Sequence, residues 1–329
     1  MRLARLAPAA AAVLGLLALA ALAVAALAQQ DGGTGAPAAG DEPAAPAGSV
    51  CVPPPAGDHR VTVAAGRVPV RLHVPPGAPK GRRQLVLVLP GAGMTGADME
   101  RYTGYDRLAD ERGFLVAYPT AAGSRPFWNV SGSVPGKPDD VAYLRQVITT
   151  LTGPAACADP VHVGVTGVSN GGGMSARLAC DAADLLAAAA PVAGGYSTLP
   201  ECHPRRPLPV LEIHGLRDTV VPYGGKDPNH AGAVDPYVAA WRARDRCASG
   251  ARRSAPARRV LELRWQCAAG RIVAQDRVFD AEHGWPGEDS LRMFSSTLRT
   301  WRFLSAFEDE MQEGRARRPG PGGAARPGG

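Results

Sequence analysis

A strand-like apolar run, Val161-His162-Val163-Gly164-Val165-Thr166, leads into Gly167-Val168-Ser169-Asn170-Gly171 and then into the helix-period segment Met174-Ser175-Ala176-Arg177-Leu178-Ala179-Cys180. Glycines on either side of a single serine let the backbone turn sharply from strand to helix, where bulkier neighbours would block the turn. The junction therefore predicts a buried strand, a tight elbow and a helix folded back onto the sheet, with the Ser169 hydroxyl exposed at the apex. An ordinary polar turn could carry the same letters, since the chain has 40 glycines. The residues that follow downstream decide between the two.

Apolar runs alternate with helix-period segments at 84–89 and 97–112, 114–118 and 139–151, and 161–166 and 170–183, which is the βαβ signature of a mostly parallel sheet with helices on both faces. Runs 185–193 and 208–214 continue as two more buried strands. Segments 237–246 and 290–307 read as helices, and 259–264 and 271–279 as late strands. The alternation over 61–74 predicts an antiparallel hairpin at the N-terminal edge of the sheet.

The ends of the chain have a different character. Residues 1–28 carry Arg2 and Arg5, an Ala/Leu/Val run and Ala26-Leu27-Ala28, the order of a cleavable signal peptide, although the run is also long enough for an uncleaved anchor. Residues 29–50 form a Gly/Ala/Pro-rich linker and 309–329 a Gly/Pro/Arg-rich tail, both too poor in bulky apolar residues to fold. One domain over 51–308 remains. The net charge of +6 disappears once Arg2, Arg5 and the four tail arginines are set aside, so it gives no reason to expect a nucleic-acid partner. Six cysteines in an exported chain suit an oxidising compartment, with pairings Cys51 to Cys157, Cys180 to Cys202 and Cys247 to Cys267 expected. The spacings contain no C-x-x-C and the seven histidines are scattered, so neither a metal nor another cofactor is expected.

A serine nucleophile needs a base to take its proton, an acid to fix the base's tautomer, and donors for the oxyanion. Asp218 lies in the loop after run 208–214, at the carboxyl end of a buried strand, where catalytic groups gather. His283, in the Gly/Pro-rich loop after the last strand, is the candidate base. Asp280 and Glu282 are alternatives for the acid, while His214 is placed to support the acid loop. The expected oxyanion donors are the Asn170 amide and one from Pro90-Gly91-Ala92-Gly93, with Ala92 first and Gly93 second. Trp128 and Trp285 are candidates to stack on a substrate.

The chain resembles the secreted polyhydroxybutyrate depolymerase and feruloyl esterase-like family of α/β-hydrolases. The resemblance rests on residues 106–119, Trp128-Asn129, Asp139-Asp140-Val141, 167–172, 190–194, His214-Gly215 with Asp218, Val221-Pro222-Tyr223, and His283-Gly284-Trp285-Pro286-Gly287. It covers roughly residues 60–305 and implies an α/β-hydrolase fold. It also implies a Ser169, Asp218, His283 triad, no metal and hydrolysis of carboxylic esters outside the cytoplasm; the short C-terminal tail, unlike a polymer-binding domain, points to small or oligomeric esters, and a monomer is expected. A serine peptidase and a catalytically silent binding protein are the competing readings. One departure stands out: the family usually carries His-Gly where this chain has Pro90-Gly91, which removes the side chain that braces the oxyanion loop.

Overall fold

Continuous apolar strands require cover on both faces, and the arrangement of the chain follows from that requirement. The computed structural model describes residues 51–64, 67–77, 81–196, 199–225, 233–287 and 294–307. The expected signal peptide 1–28, the linker 29–50, the tail 309–329 and His230 lie outside the described residues. In chain order the strands are β1 (Gly57–Val61), β2 (Val70–Val74), β3 (Arg83–Leu89), β4 (Leu115–Tyr118), β5 (Ala158–Val168), β6 (Ala188–Val192), β7 (Val210–Gly215), β8 (Arg252–Ser254), β9 (Val260–Gln266) and β10 (Ile272–Val278). The helices are α1 (Gly96–Thr103), α2 (Tyr105–Arg112), α3 (Asp140–Thr152), α4 (Asn170–Asp181), α5 (Val234–Arg244) and α6 (Ser296–Ser305).

The strands form one sheet in the order β1-β2-β4-β3-β5-β6-β7-β10-β9-β8. Its centre, from β4 to β10, is parallel, and both flanks are antiparallel. Side chains alternate across the sheet as the two-residue period of a strand demands. Leu85, Leu87 and Leu89 of β3 pack with Leu144, Leu178 and Trp241 of α3, α4 and α5. Val86 and Val88 face the other way, onto Met99, Tyr105 and Leu304 of α1, α2 and α6. This is an α/β-hydrolase fold with helices on both faces and an antiparallel hairpin at its N-terminal edge.

Several boundaries differ from the sequence reading for identifiable reasons. Segment 97–112 is two helices, because Gly104 takes a left-handed conformation (φ 61°) that caps α1 before α2 begins. The edge hairpin starts earlier, with β1 ending at Val61 opposite Val70. The expected helix 290–307 is described from Ser296, where the Ser295 side chain accepts the Leu298 amide as an N-cap. Strand β8 was not foreseen; it is three residues long and largely exposed, so it lacks an apolar alternation to read. No helix among the described residues is long and apolar enough to cross a membrane.

All three expected disulfides are present, Cys51–Cys157, Cys180–Cys202 and Cys247–Cys267, and no described cysteine is free. The first bridges residues 106 apart in sequence and ties the N-terminal segment to the start of β5. A loop of that length restricts the unfolded chain strongly, so replacing both Cys51 and Cys157 by alanine should cost about 4 kcal/mol. The denaturant midpoint should fall accordingly; an unchanged midpoint would show that this tether contributes nothing.

Candidate active site

Strand β5 delivers Ser169 to the N-cap of α4 with φ 57° and ψ −120°. That conformation is strained for a residue with a side chain and is the mark of a nucleophile elbow. The elbow is held by the Ser169 amide donating to Val192 O at 3.0 Å and by the Gly173 amide donating to Ser169 O at 2.9 Å. Close approach explains the flanking glycines. A Cβ on Gly167 would sit 2.6 Å from Gly171 O, and one on Gly171 would sit 2.1 Å from Leu89 O and 2.5 Å from Pro90 O. The elbow therefore presses directly on the loop that follows β3.

In that loop the Gly93 amide already donates to Pro126 O at 2.7 Å, which corrects the expectation that it could serve the oxyanion. Among the described residues the Ala92 and Asn170 amides meet no acceptor within the chain, so these two donors remain available. Pro90 stands where the resemblance leads one to expect a histidine, and Trp128 braces the loop instead. Its indole N–H donates to Pro90 O at 3.0 Å, its amide donates to Asn170 Oδ1 at 2.7 Å, and Asn170 Nδ2 donates back to Trp128 O at 3.1 Å. Trp128 is only 1% exposed, so it packs beneath the loop and is not presented to a ligand.

Trp285 needs the same correction. It is buried, its indole N–H donates to Thr297 Oγ1 at 2.9 Å, and its amide donates to the Tyr102 hydroxyl at 2.9 Å, an arrangement that anchors the loop bearing His283. Trp128→Phe keeps the packing and removes the hydrogen bond to Pro90. We expect kcat on an ester to fall about tenfold with KM little changed, because a loosened oxyanion donor acts on the transition state. Steady-state kinetics check this, and an unchanged kcat would mean that the brace is dispensable.

Asp218 follows β7 and His283 follows β10, while Ser169 follows β5; these strands are parallel, so all three residues emerge at the same edge of the sheet. His283 Nδ1 donates to Asp218 Oδ2 at 2.7 Å. Asp218 Oδ1 accepts the amides of Val220 at 2.9 Å and Val221 at 2.7 Å. Among the described residues no hydrogen bond joins Ser169 to His283, a gap common in unliganded hydrolases, where that bond tightens only with substrate. The alternative acids do not compete: Asp280 is paired with Arg259, and Glu282 is exposed.

Beneath Asp218 lies a buried polar chain. His214 Nδ1 meets Glu212 Oε1 at 2.9 Å, its Nε2 meets Val221 O at 2.8 Å and Asp218 Oδ2 at 3.3 Å, and the Tyr196 hydroxyl donates to Glu212 Oε1 at 3.0 Å. Burial alone would push the Asp218 carboxyl up, but hydrogen bonds from His214, His283 and the Val221 amide outweigh it and hold the group well below the usual carboxylate range. Burial would likewise lower His214, yet Asp218 and Glu212 raise it to about 10. The sequence reading placed His214 beside the acid loop and overlooked Glu212 and Tyr196. A lone glutamate inside the apolar run 208–214 was the available signal.

These shifts set a pH dependence of stability. His214 binds its proton more tightly in the folded state, so its contribution is complete below the unfolded value of about 6.5 and is lost as the pH rises through about 10. Asp218 runs the other way: its contribution is present above about pH 3.9 and is lost as the pH falls through its lowered folded value. The two coincide between about pH 4 and 6.5. Melting scans should show His214→Gln losing most stability there, relative to the parent, with the difference shrinking as the pH approaches 10. A difference independent of pH would contradict the linkage.

Two other features lie away from this edge. A cleft of about 270 Å³ between α4 and α5 is lined by Tyr196, Tyr237, Trp241 and the Cys180–Cys202 bridge, and by none of Ser169, Asp218 or His283. At the β1–β2 edge Asp58, His73 and Asp106 bring potential ligand atoms together. His73 there already bonds Asp58 at 2.8 Å and Asp110 at 3.0 Å, while Asp106 accepts the Tyr118 hydroxyl at 2.6 Å.

No family model matches the sequence. NocK of Nocardia uniformis subsp. tsuyamanensis, a provisionally named esterase, is 36% identical over 256 residues, which cover 69% of this chain and 74% of NocK. Feruloyl esterase B of Piromyces equi is 41% identical over 107 residues, 30% of this chain but only 19% of that larger protein. Among solved structures, the acetyl xylan esterase from Aspergillus awamori superimposes with a TM-score of 0.60 over 76% of this chain and 99% of its own, at 15% identity, and so supports the fold alone. With an ester hydrolase's elbow and sheet in place and a relative of this extent, the chain belongs to the esterase and polyhydroxybutyrate depolymerase-like family and is an ester-hydrolysing enzyme.

Proposed function

We propose that this chain is an exported serine esterase that cleaves small or oligomeric carboxylic esters through an acyl-enzyme on Ser169. The observation that carries the reading is the strained Ser169 elbow at the same sheet edge as the Asp218–His283 pair. Ser169 Oγ attacks the ester carbonyl carbon as its proton passes to His283 Nε2. Asp218 holds Nδ1–H and so fixes the tautomer that leaves Nε2 free to accept. The Ala92 and Asn170 amides receive the developing oxyanion. His283 then returns the proton to the departing alcohol, and water attacks the acyl-enzyme by the same route, releasing the carboxylic acid and restoring Ser169.

Export is supported by the paired cysteines together with the signal-like residues 1–28. Tyr102 of α1 and the loop residues Phe127, Leu216 and Val220 are exposed and offer an apolar border suited to esters with an apolar or aromatic part. The deciding experiment assays the purified protein on short p-nitrophenyl, feruloyl, acetyl-sugar and 3-hydroxybutyrate esters, with peptide anilides alongside. A serine-directed phosphonate is applied in parallel. Ester turnover with label on Ser169 is expected. Cleavage of the anilides alone would favour a peptidase, and neither turnover nor label would favour a binding protein.

A further inference from the structure

The Asp218 carboxylate serves two histidines through one oxygen. Oδ2 accepts His283 Nδ1–H at 2.7 Å and faces His214 Nε2 at 3.3 Å. The reaction uses His283, and nothing in the chemistry so far requires a second imidazole. Yet His214 is completely buried, and so is Glu212 on its other side. Groups of this kind are costly to bury unless they are paired.

The surroundings of His214 fix its protons. Nε2 faces a backbone carbonyl, Val221 O at 2.8 Å, and the Asp218 carboxylate, neither of which can donate, so Nε2 carries hydrogen. Nδ1 faces Glu212 Oε1, which also accepts the Tyr196 hydroxyl. A proton shared between Glu212 and Nδ1 is drawn to the ring by the second carboxylate, Asp218, on the ring's far side. Burial and the nearby Asp235 push Glu212 above the usual carboxylate range, and its hydrogen bonds with His214 and Tyr196 oppose that rise; Asp276 is the further buried acid that feels Glu212. Tyr223 meets the ring edge-on at 5.9 Å, Tyr237 stacks on Tyr196 at 3.9 Å, and Arg277, opposite His214 in β10, is paired with Asp235 of α5 at 2.9 Å.

We propose that His214 is a positioning residue held as an imidazolium on Asp218 Oδ2 throughout the neutral range, and that this buried cation tunes the hold of Asp218 on the His283 proton. The inference rests on the assignment of Asp218 and His283 as acid and base. Its physical content is electrostatic. A positive charge on the shared oxygen keeps Asp218 ionised and draws off part of its pull on the His283 proton, so removing that charge should strengthen the pull. Glu212, anchored by Tyr196, keeps the cation charged.

Two measurements test this. Imidazole ¹H–¹⁵N spectra of the full chain carrying Ser169→Ala should show both ring nitrogens of His214 protonated at about pH 8, above the usual titration of histidine. One bare ring nitrogen there, with the proton on Glu212, overturns the proposal; because this arm needs no turnover, an error about the nucleophile leaves it unaffected. In the active enzyme, His214→Gln should move the acid limb of the kcat/KM profile up by about one pH unit. A loss of activity or melting temperature with the limb unmoved would mean that His214 only packs the loop, and would overturn the proposal. Should His214→Gln fail to fold, Glu212→Gln carries the same test. There the His214 titration should drop below about pH 8 and the limb should move the same way, whereas an unmoved titration refutes the role of the cluster.

Discussion

Ser169→Ala should lower kcat on a p-nitrophenyl ester by about 10⁶-fold, the scale of loss when one member of a concerted nucleophile, base and acid is removed. The structure makes this variant a clean one. The Ser169 side chain makes no capping bond to the helix it begins, so alanine leaves the start of α4 as it is. The elbow itself is held by main-chain bonds to Val192 and Gly173, which alanine retains. The melting temperature should therefore stay within a few degrees while turnover and phosphonate labelling disappear together. Retention of more than about a tenth of the parent rate would remove Ser169 from the mechanism, since the uncatalysed background and the remaining oxyanion donors account for far less.

How much of this was legible beforehand depends on how local each signal is. The elbow was readable because two glycines, one serine and an apolar strand lie within a dozen residues, and the close approach of Gly171 to Leu89 O shows why no other residue fits there. The placement of Ser169, Asp218 and His283 at one sheet edge was readable because each residue follows a buried run, and parallel strands bring such ends together. The tryptophans were misread. Trp128 and Trp285 are near the site in sequence logic, but whether an indole faces a ligand or packs beneath a loop depends on partners 38 and 12 residues away, Pro90 and Thr297. Gly93 was misread for the same reason, its amide being taken by Pro126 O. The buried chain from Tyr196 to Asp218 was only half visible. A hydroxyl from the loop after β6 joins a glutamate within β7, and no local pattern announces that pairing.

Asp218→Asn is the second large effect, and it separates catalysis from folding less completely. The asparagine is nearly isosteric but neutral, and when its amide nitrogen turns toward His283 it donates where the imidazole must also donate. The tautomer with hydrogen on Nε2 is then favoured, and that nitrogen can no longer take the Ser169 proton. A loss of about 10⁴-fold in kcat follows. The same change strips His214 of the carboxylate on its Nε2 side, leaving Glu212 as its one acidic neighbour. Removing one member of a buried charged group costs about 3 kcal/mol, so the melting temperature should fall as well. Kinetics are therefore measured well below the variant's own melting transition, with circular dichroism confirming that the protein is folded there. A folded variant that keeps a tenth or more of the parent kcat would show that Asp218 serves the loop and not the base. His283 would then act without a carboxylate partner, since Asp280 is held by Arg259 and Glu282 faces solvent.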